Sequence, residues 1–492
     1  MKRILLLFFL SAFLFSCKKE DTHVIPDELL YSVRGVNPGI YDQQGRYILL
    51  RGVNYNVLGD YWQGNPAVAT TKQYEADDIA LMAKYGINCI RLLFSWSALE
   101  PERGKYNEEY IHRIQQVIEE AAKYHIYILL DMHQDAWGKY IATPAPAVCS
   151  SPNKGWDGAP QWATITDFES TCVSGGRETA PAVIHAFQNF WDNTDGINDA
   201  CIKAWQVLVE ATSKYSNVVG YDLINEPNLG YNTVNEDARK LSTYYGKLIK
   251  SIRSAEQQPN SYLHIIFFEM TITSNGSAFP FIPYPDFTYD KNIIFAPHLY
   301  FEAISNELTI EQGFDLVNVV SKLFNTSMFI GEWGFFGDPN SDVSKVKRFA
   351  LQEDKFVVGS TWWQWSQAPG DPHSISWDGT QYGNTSMALI ELDKNGNFTG
   401  NVNDVYLKVL SRTRPCAIYG KPVKLISNPD DGTMHLEANS NSEGITTLWI
   451  PDRFGEPNID GNNVVSFQLS KIEGGYIAKV KVKGNYNINV HF

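Results

Sequence analysis

From residue 48 to residue 366, short apolar runs of strand length alternate with stretches of helical period, and that alternation leaves few folds open. The runs fall at 48–54, 89–94, 127–133, 218–225, 263–269, 293–300, 328–332 and 359–365. Most are separated by amphipathic segments such as 107–124, where Ile111, Ile114, Val117, Ile118 and Ala121 make one apolar stripe. Strands that are apolar on both faces and separated by helices pair in parallel, and eight such units close on themselves. The predicted fold class is therefore α/β, a TIM (β/α)8 barrel across 31–412.

After residue 366 the helical period fades into short alternating runs such as MHLEA, TTLWI and YIAKVKV, separated by turn-rich spacers such as NPDDG and NSNSEG. This pattern predicts a small antiparallel β-sandwich over 413–492, read as a structural companion of the barrel.

Barrel active sites lie at the C-terminal strand ends, so polar residues that terminate strands are the candidates. They are Asn54, Arg91 within the second strand, His133 and Asp135, Asn225 and Glu226, His298 and Tyr300, Glu332, and Trp363 with Gln364 on the eighth. Two of them close apolar runs in the same way, Glu226 in VVGYDLINEPN (218–228) and Glu332 in MFIGEWG (328–334). Cleaving a glycosidic bond needs such a pair, one carboxyl to protonate the leaving oxygen and one to attack the anomeric carbon or activate water.

Asn225-Glu226-Pro227, with Glu332 about a hundred residues later, resembles glycoside hydrolase family 5 of clan A. RLLFSWSALEPERGKY (91–106), DMHQD (131–135), NFWDNTDGINDACIKAW (189–205) and APHLYF (296–301) are similar to its endoglycoceramidase branch. The resemblance implies a retaining double displacement without a cofactor. Glu332 would be the nucleophile, kept ionised by Arg91 and Tyr300, and Glu226 the acid/base. Asn225 would hold the 2-hydroxyl of the attacked sugar, His133 and His298 would support that subsite, and Trp363 would stack beneath the ring. Leu58 stands where that branch usually carries a sugar-contacting Lys.

The implied activity is hydrolysis of the β-glycosidic bond between a glycan and a ceramide-like or other apolar aglycone, with a glycolipid or oligosaccharide as substrate. The alternatives are a β-glucanase or β-glucosidase of the same family, and a surface lipoprotein that binds glycans without cutting them. Retention of both Glu226 and Glu332 argues against the last. A lipid aglycone calls for apolar surface beyond Glu226, for which Phe335, Phe336 and Trp137 are the candidates. Trp137 lies in a long connection, Gln134 to about Asp195, in which it, Trp156, Trp162 and Phe168 suggest a partly apolar wall beside the cleft.

The first 16 residues read as an export signal, with Lys2 and Arg3 before a short apolar run. Leu14-Phe15-Ser16-Cys17 looks like a bacterial lipobox, which implies acylation of Cys17, a tether over 17–30 and an exported lipoprotein held on a membrane, periplasmic or at the cell surface. Export would permit a disulfide between Cys149 and Cys172, which share the long connection, while Cys89 and Cys201 read as buried thiols. No CxxC or His-rich spacing predicts a metal, and a formal charge of −14 makes nucleic acid a poor partner.

Overall fold

The computed structural model describes residues 29–142, 154–172, 176–374 and 387–492. The leader, Cys17 and Cys149 lie outside the described residues.

Eight parallel strands form the central sheet: β1 Arg51–Leu58, β2 Cys89–Ser95, β3 Tyr127–His133, β4 Val218–Asp222, β5 Ile265–Phe268, β6 Ile293–Phe295, β7 Phe329–Trp333 and β8 Gly359–Trp362. They follow one another in order, with β8 against β1. Parallel bridges Phe295↔Met328 and His298↔Glu332 join β6 to β7 and close the ring. The sheet is the predicted TIM barrel. Its first strand begins three residues later than the hydrophobic pattern suggests, because Tyr47–Ile48 pairs elsewhere.

Side chains alternate along a strand, so every second residue enters the barrel. At the lower end these are Cys89, Leu129, Ile265, Phe267, Ile294, Ala296 and Phe329, which form an apolar cluster plugged from below by Leu30 and Ile40. Continuing the same alternation upward brings in Arg91 from β2, Asp131 and His133 from β3, and Glu269 just past β5, all buried. An apolar floor thus carries a polar upper layer. The helices pack outside, as Glu108–Lys123 does with Ile114, Val117, Ile118 and Ala121, its start capped by Asn107, whose side chain accepts from the Tyr110 N–H.

Strands Tyr31–Val33, Gly39–Tyr41 and Tyr47–Ile48 join Arg414–Ile418 in a seven-stranded antiparallel sheet. These strands lie within the segment the sequence assigns to the barrel, so the sandwich draws on both ends of the chain. Its second sheet has four strands, Lys421–Ser427, Met434–Asn439, Tyr486–His491 and Asn458–Asp460. Between them lie Ile418, Leu425, Leu436, Leu448, Val480 and Ile488. A buried ion cluster fastens the sandwich to the barrel. Arg412 reaches Glu353 at 2.7 Å and Asp354 at 2.8 Å, and Arg51 of β1 reaches the same two carboxylates at 3.0 and 3.1 Å.

Candidate active site

A cavity of about 460 Å³ opens at the C-terminal ends of the strands, lined by Glu226 and Glu332 together with His133, Asp135, Asn225, Tyr300 and Trp363. One oxygen of Glu226 and one of Glu332 lie within 4.8 Å of each other. A retaining pair sits at roughly 5–5.5 Å, and an inverting pair leaves roughly 6.5–9.5 Å for a water.

Glu332, 4% exposed at the end of β7, takes two donors. Arg91 Nη1 donates to Oε1 at 2.6 Å and the Tyr300 hydroxyl to Oε2 at 3.0 Å. Glu226 is less buried and is met by different groups: Asn275 Nδ2 donates to Oε1 at 2.6 Å, and His298 Nδ1 lies 2.9 Å from the same oxygen. The two carboxyls, similar in sequence, therefore occupy different electrostatic settings.

Arg91 organises the layer beneath. Its guanidinium contacts Asp222 at 2.8 Å, Asp131 at 3.0 Å and Glu269 at 3.0 Å besides Glu332, and donates to the side-chain oxygens of Asn54 and Asn225 at 3.0 Å each. Four carboxylates around one cation hold its proton, raising Arg91 further although burial alone would lower it. Burial would likewise lower His298, but Glu269 and Glu332 outweigh it and raise the imidazole well above its ordinary value. Burial pushes Glu332 up, with His298 and Arg91 opposing and Glu226 adding to the rise.

Residues 41–369 match the family model for cellulase, glycosyl hydrolase family 5. The chain belongs to that family. It is thus a glycoside hydrolase, and two glutamates, Glu226 and Glu332, line its cavity. Among its relatives is the endoglycoceramidase of Cyanea nozakii, 27% identical over 433 residues that cover 80% of this chain and 78% of the relative. The crystal structure of an endogalactoceramidase superposes with a TM-score of 0.85 at 32% identity, covering 94% of this chain and 99% of that one. Endo-glycoceramidase II from Rhodococcus sp., solved as a ganglioside GM3 complex, shares the fold with a TM-score of 0.70 at 22% identity, over 92% and 99% of the two chains.

Most of the residues expected at strand ends meet in this family 5 cavity, with informative exceptions. His133 stacks on Trp363 at 5.3 Å and 14° and takes Asp131 on Nδ1 at 2.8 Å. Asp135, held below the ordinary carboxylate range against its burial by Arg177, His133 and His373, lines the same wall. Asn54, Arg91, His298 and Gln364 do not line it: Arg91 and His298 lie beneath it against the two glutamates, Asn54 is buried against Arg91 and three strand carbonyls, and neither amide atom of the buried Gln364 has a partner among the described residues. Leu58 is buried in the barrel core.

The expected apolar residues divide. Phe336 lines the cavity with Ile272, Ile304 and Met387, and stacks on Tyr300 at 5.7 Å. Phe335 and Trp137 do not; each is 2% exposed, and Trp137 packs on Phe187 at 5.0 Å and Phe190 at 5.2 Å. Those phenylalanines belong to helix Pro181–Trp191, which forms inside the long connection and buries Trp137 beneath it. From that connection Trp156, with Arg177 over its ring at 3.5 Å, does reach the cavity. Cys172 is disulfide-bonded, while Cys89 and Cys201 are buried free thiols.

Sequence reasoning overlooked Asp131, Asp222, Glu269, Asn275, Arg177 and Glu178. Glu269 was within reach, since Ile265, Phe267 and Glu269 keep one alternation and the last ends a predicted strand. Asp131 and Asp222 keep the alternation of their strands and could have been read with them, whereas Asn275, Arg177 and Glu178 lie outside the strands, where no periodic signal points to a cleft. Three groups of carboxylates and imidazoles among the described residues bring ligand atoms within 4.8 Å: His133, Asp135 and Asp157; Asp222, Glu269 and His298; Glu226, His298 and Glu332. Arg91, Arg177 and the histidines already supply positive charge to each, so they read as hydrogen-bonded networks.

Proposed function

We propose that this glycoside hydrolase is a retaining β-glycosidase that severs a glycan from a ceramide-like lipid. The observation that carries the retaining reading is the closeness of Glu226 and Glu332, single oxygens of which lie within 4.8 Å, nearer the retaining than the inverting separation. Glu332 attacks the anomeric carbon as Glu226 delivers a proton to the departing lipid oxygen, giving a glycosyl ester. Glu226 then takes a proton from water as that water displaces Glu332, and the sugar leaves with its configuration retained. Arg91 and Tyr300 stabilise the ionised nucleophile, and they remain in place to receive its charge when the ester breaks.

The lipid reading is supported by the mixed lining of the cavity. Histidines, carboxylates, Asn225 and Arg177 offer polar partners to a sugar, whereas Ile272, Ile304, Phe336 and Met387 offer apolar surface to a chain. The names of the relatives point the same way. Hydrolysis of glucosylceramide, lactosylceramide, gangliosides and cello-oligosaccharides, with release of intact ceramide monitored, tests it. Turnover of the cello-oligosaccharides alone would make it a β-glucanase instead.

The same proposal includes an address. Acylation of Cys17 after removal of residues 1–16 would hold the enzyme on a membrane, which suits a substrate that itself resides in one.

A further inference from the structure

Glu269 is 1% exposed, lies one residue beyond β5 and does not line the cavity. One of its oxygens nevertheless meets Glu226, which does, and the other meets Arg91 and His298, which lie beneath the cavity against Glu332 and Glu226. Oε2 accepts the backbone N–H of Glu226 at 3.0 Å. Oε1 accepts Arg91 Nη2 at 3.0 Å and lies 3.2 Å from His298 Nε2, and the opposite nitrogen of that imidazole lies 2.9 Å from Glu226 Oε1. Glu269 thus reaches Glu226 twice, directly at the backbone and through His298 at the carboxyl.

The backbone contact falls where the chain is strained. Glu226 has φ 42°, a left-handed conformation that residues with a Cβ avoid and keep only when neighbouring groups determine it. The conformation aims the side chain. We propose that Glu269 is the positioning residue for Glu226, holding its strained backbone and, through His298, the direction of its carboxyl; this rests on the reading of Glu226 as acid/base.

A carboxylate suits the task because Glu226 N–H and Arg91 Nη2 donate to it and the His298 imidazole meets it as a charge contact, and an ionised carboxyl has acceptors only. An amide would turn its NH2 toward one of them. Burial, with Asp222 adding, raises the Glu269 carboxyl above its ordinary value, while His298 and Arg91 oppose the rise by favouring the ionised form. Tyr245 fixes the same residue from behind, its hydroxyl donating to the Glu269 carbonyl at 3.2 Å.

The test compares full-length E269Q and E269A with wild type by kcat/KM, which reports the glycosylation step, on two substrates with the same sugar. One is a glycolipid, whose alkoxide cannot leave without a proton; the other is a dinitrophenyl glycoside, whose leaving group needs none. A misaimed acid costs the first about tenfold or more and the second less than about threefold, a partial copy of E226A. A merely structural role lowers both alike. Equal losses on the two substrates, or no loss on either, overturn the proposal provided E226A itself separates them. If E226A does not, the acid/base reading fails and the proposal falls with it. E269Q keeps the size and one acceptor oxygen, so it carries the comparison if E269A does not fold.

Discussion

Replacing Tyr300 with phenylalanine isolates one hydrogen bond to the proposed nucleophile. The hydroxyl donates to Glu332 Oε2 at 3.0 Å within a buried setting, while the ring stacks on Phe336 at 5.7 Å. Phenylalanine keeps the stack and removes only the donor. Among the described residues the next donor to that oxygen is His298 Nδ1 at 3.5 Å, which is too far to replace it, and Arg91 Nη1 serves the other oxygen at 2.6 Å. A hydrogen bond to a charged group contributes about 1.5–3 kcal/mol, and about 1.4 kcal/mol is a factor of ten in rate, so kcat/KM should fall roughly ten- to hundredfold. The change also has a sign in pH. A donor to the ionised form lowers a carboxyl pKa, and its loss raises Glu332 beyond the position that burial already gives it. The nucleophile works ionised, so activity is present above that pKa, and the acid limb of the kcat/KM profile should move to higher pH. The assay is kcat/KM for an aryl glycoside from acid to neutral pH, with soluble substrate to exclude lipid effects. A variant within about twofold of wild type, with its acid limb unmoved, refutes the claim that Tyr300 holds Glu332 ready.

The two glutamates should fail differently: E332A should lose turnover on every substrate, while E226A should keep measurable kcat/KM on a dinitrophenyl glycoside, and equal failure on that substrate contradicts the roles. Charge placed in the apolar lining by F336D should raise KM for a glycolipid far more than for a short soluble glycoside, because Phe336 lines the cavity with Ile272, Ile304 and Met387; equal changes on both would favour the glucanase alternative. C17S should leave the specific activity unchanged but abolish incorporation of labelled fatty acid and detergent-phase partitioning, and continued acylation of the variant would place the anchor elsewhere.

The barrel and its paired glutamates were legible in the chain because both are written in local patterns. Parallel strands buried on both faces must be apolar runs, and their C-terminal ends are where polar residues can first reach solvent, so Glu226 and Glu332 stand out against what precedes them. Glu269 obeys the same alternation behind Ile265 and Phe267 and could have been read with them. Trp137 and Phe335 show the limit of such reading: composition makes each a candidate wall, and only the placement of helix Pro181–Trp191 and of the barrel core decides that both are packing. The pairing of 31–48 with the sandwich has the same origin, since strands of two and three residues carry no signature of their partner.

What the sequence alone determined is therefore the periodic part: fold class, strand ends and the chemical identity of the two carboxyls. What tertiary structure decided is everything that depends on distances between segments far apart in the chain. Arg91 meets Asp222, Glu269 and Glu332 across separations of 131, 178 and 241 residues. Like contacts hold Glu332 between Arg91 and Tyr300 and set Glu226 against His298 and Asn275. The physical reason is that periodicity reports which face of an element is buried, whereas a pKa or a reactive geometry depends on which charges share the buried space, and that is settled only when the ring of strands closes.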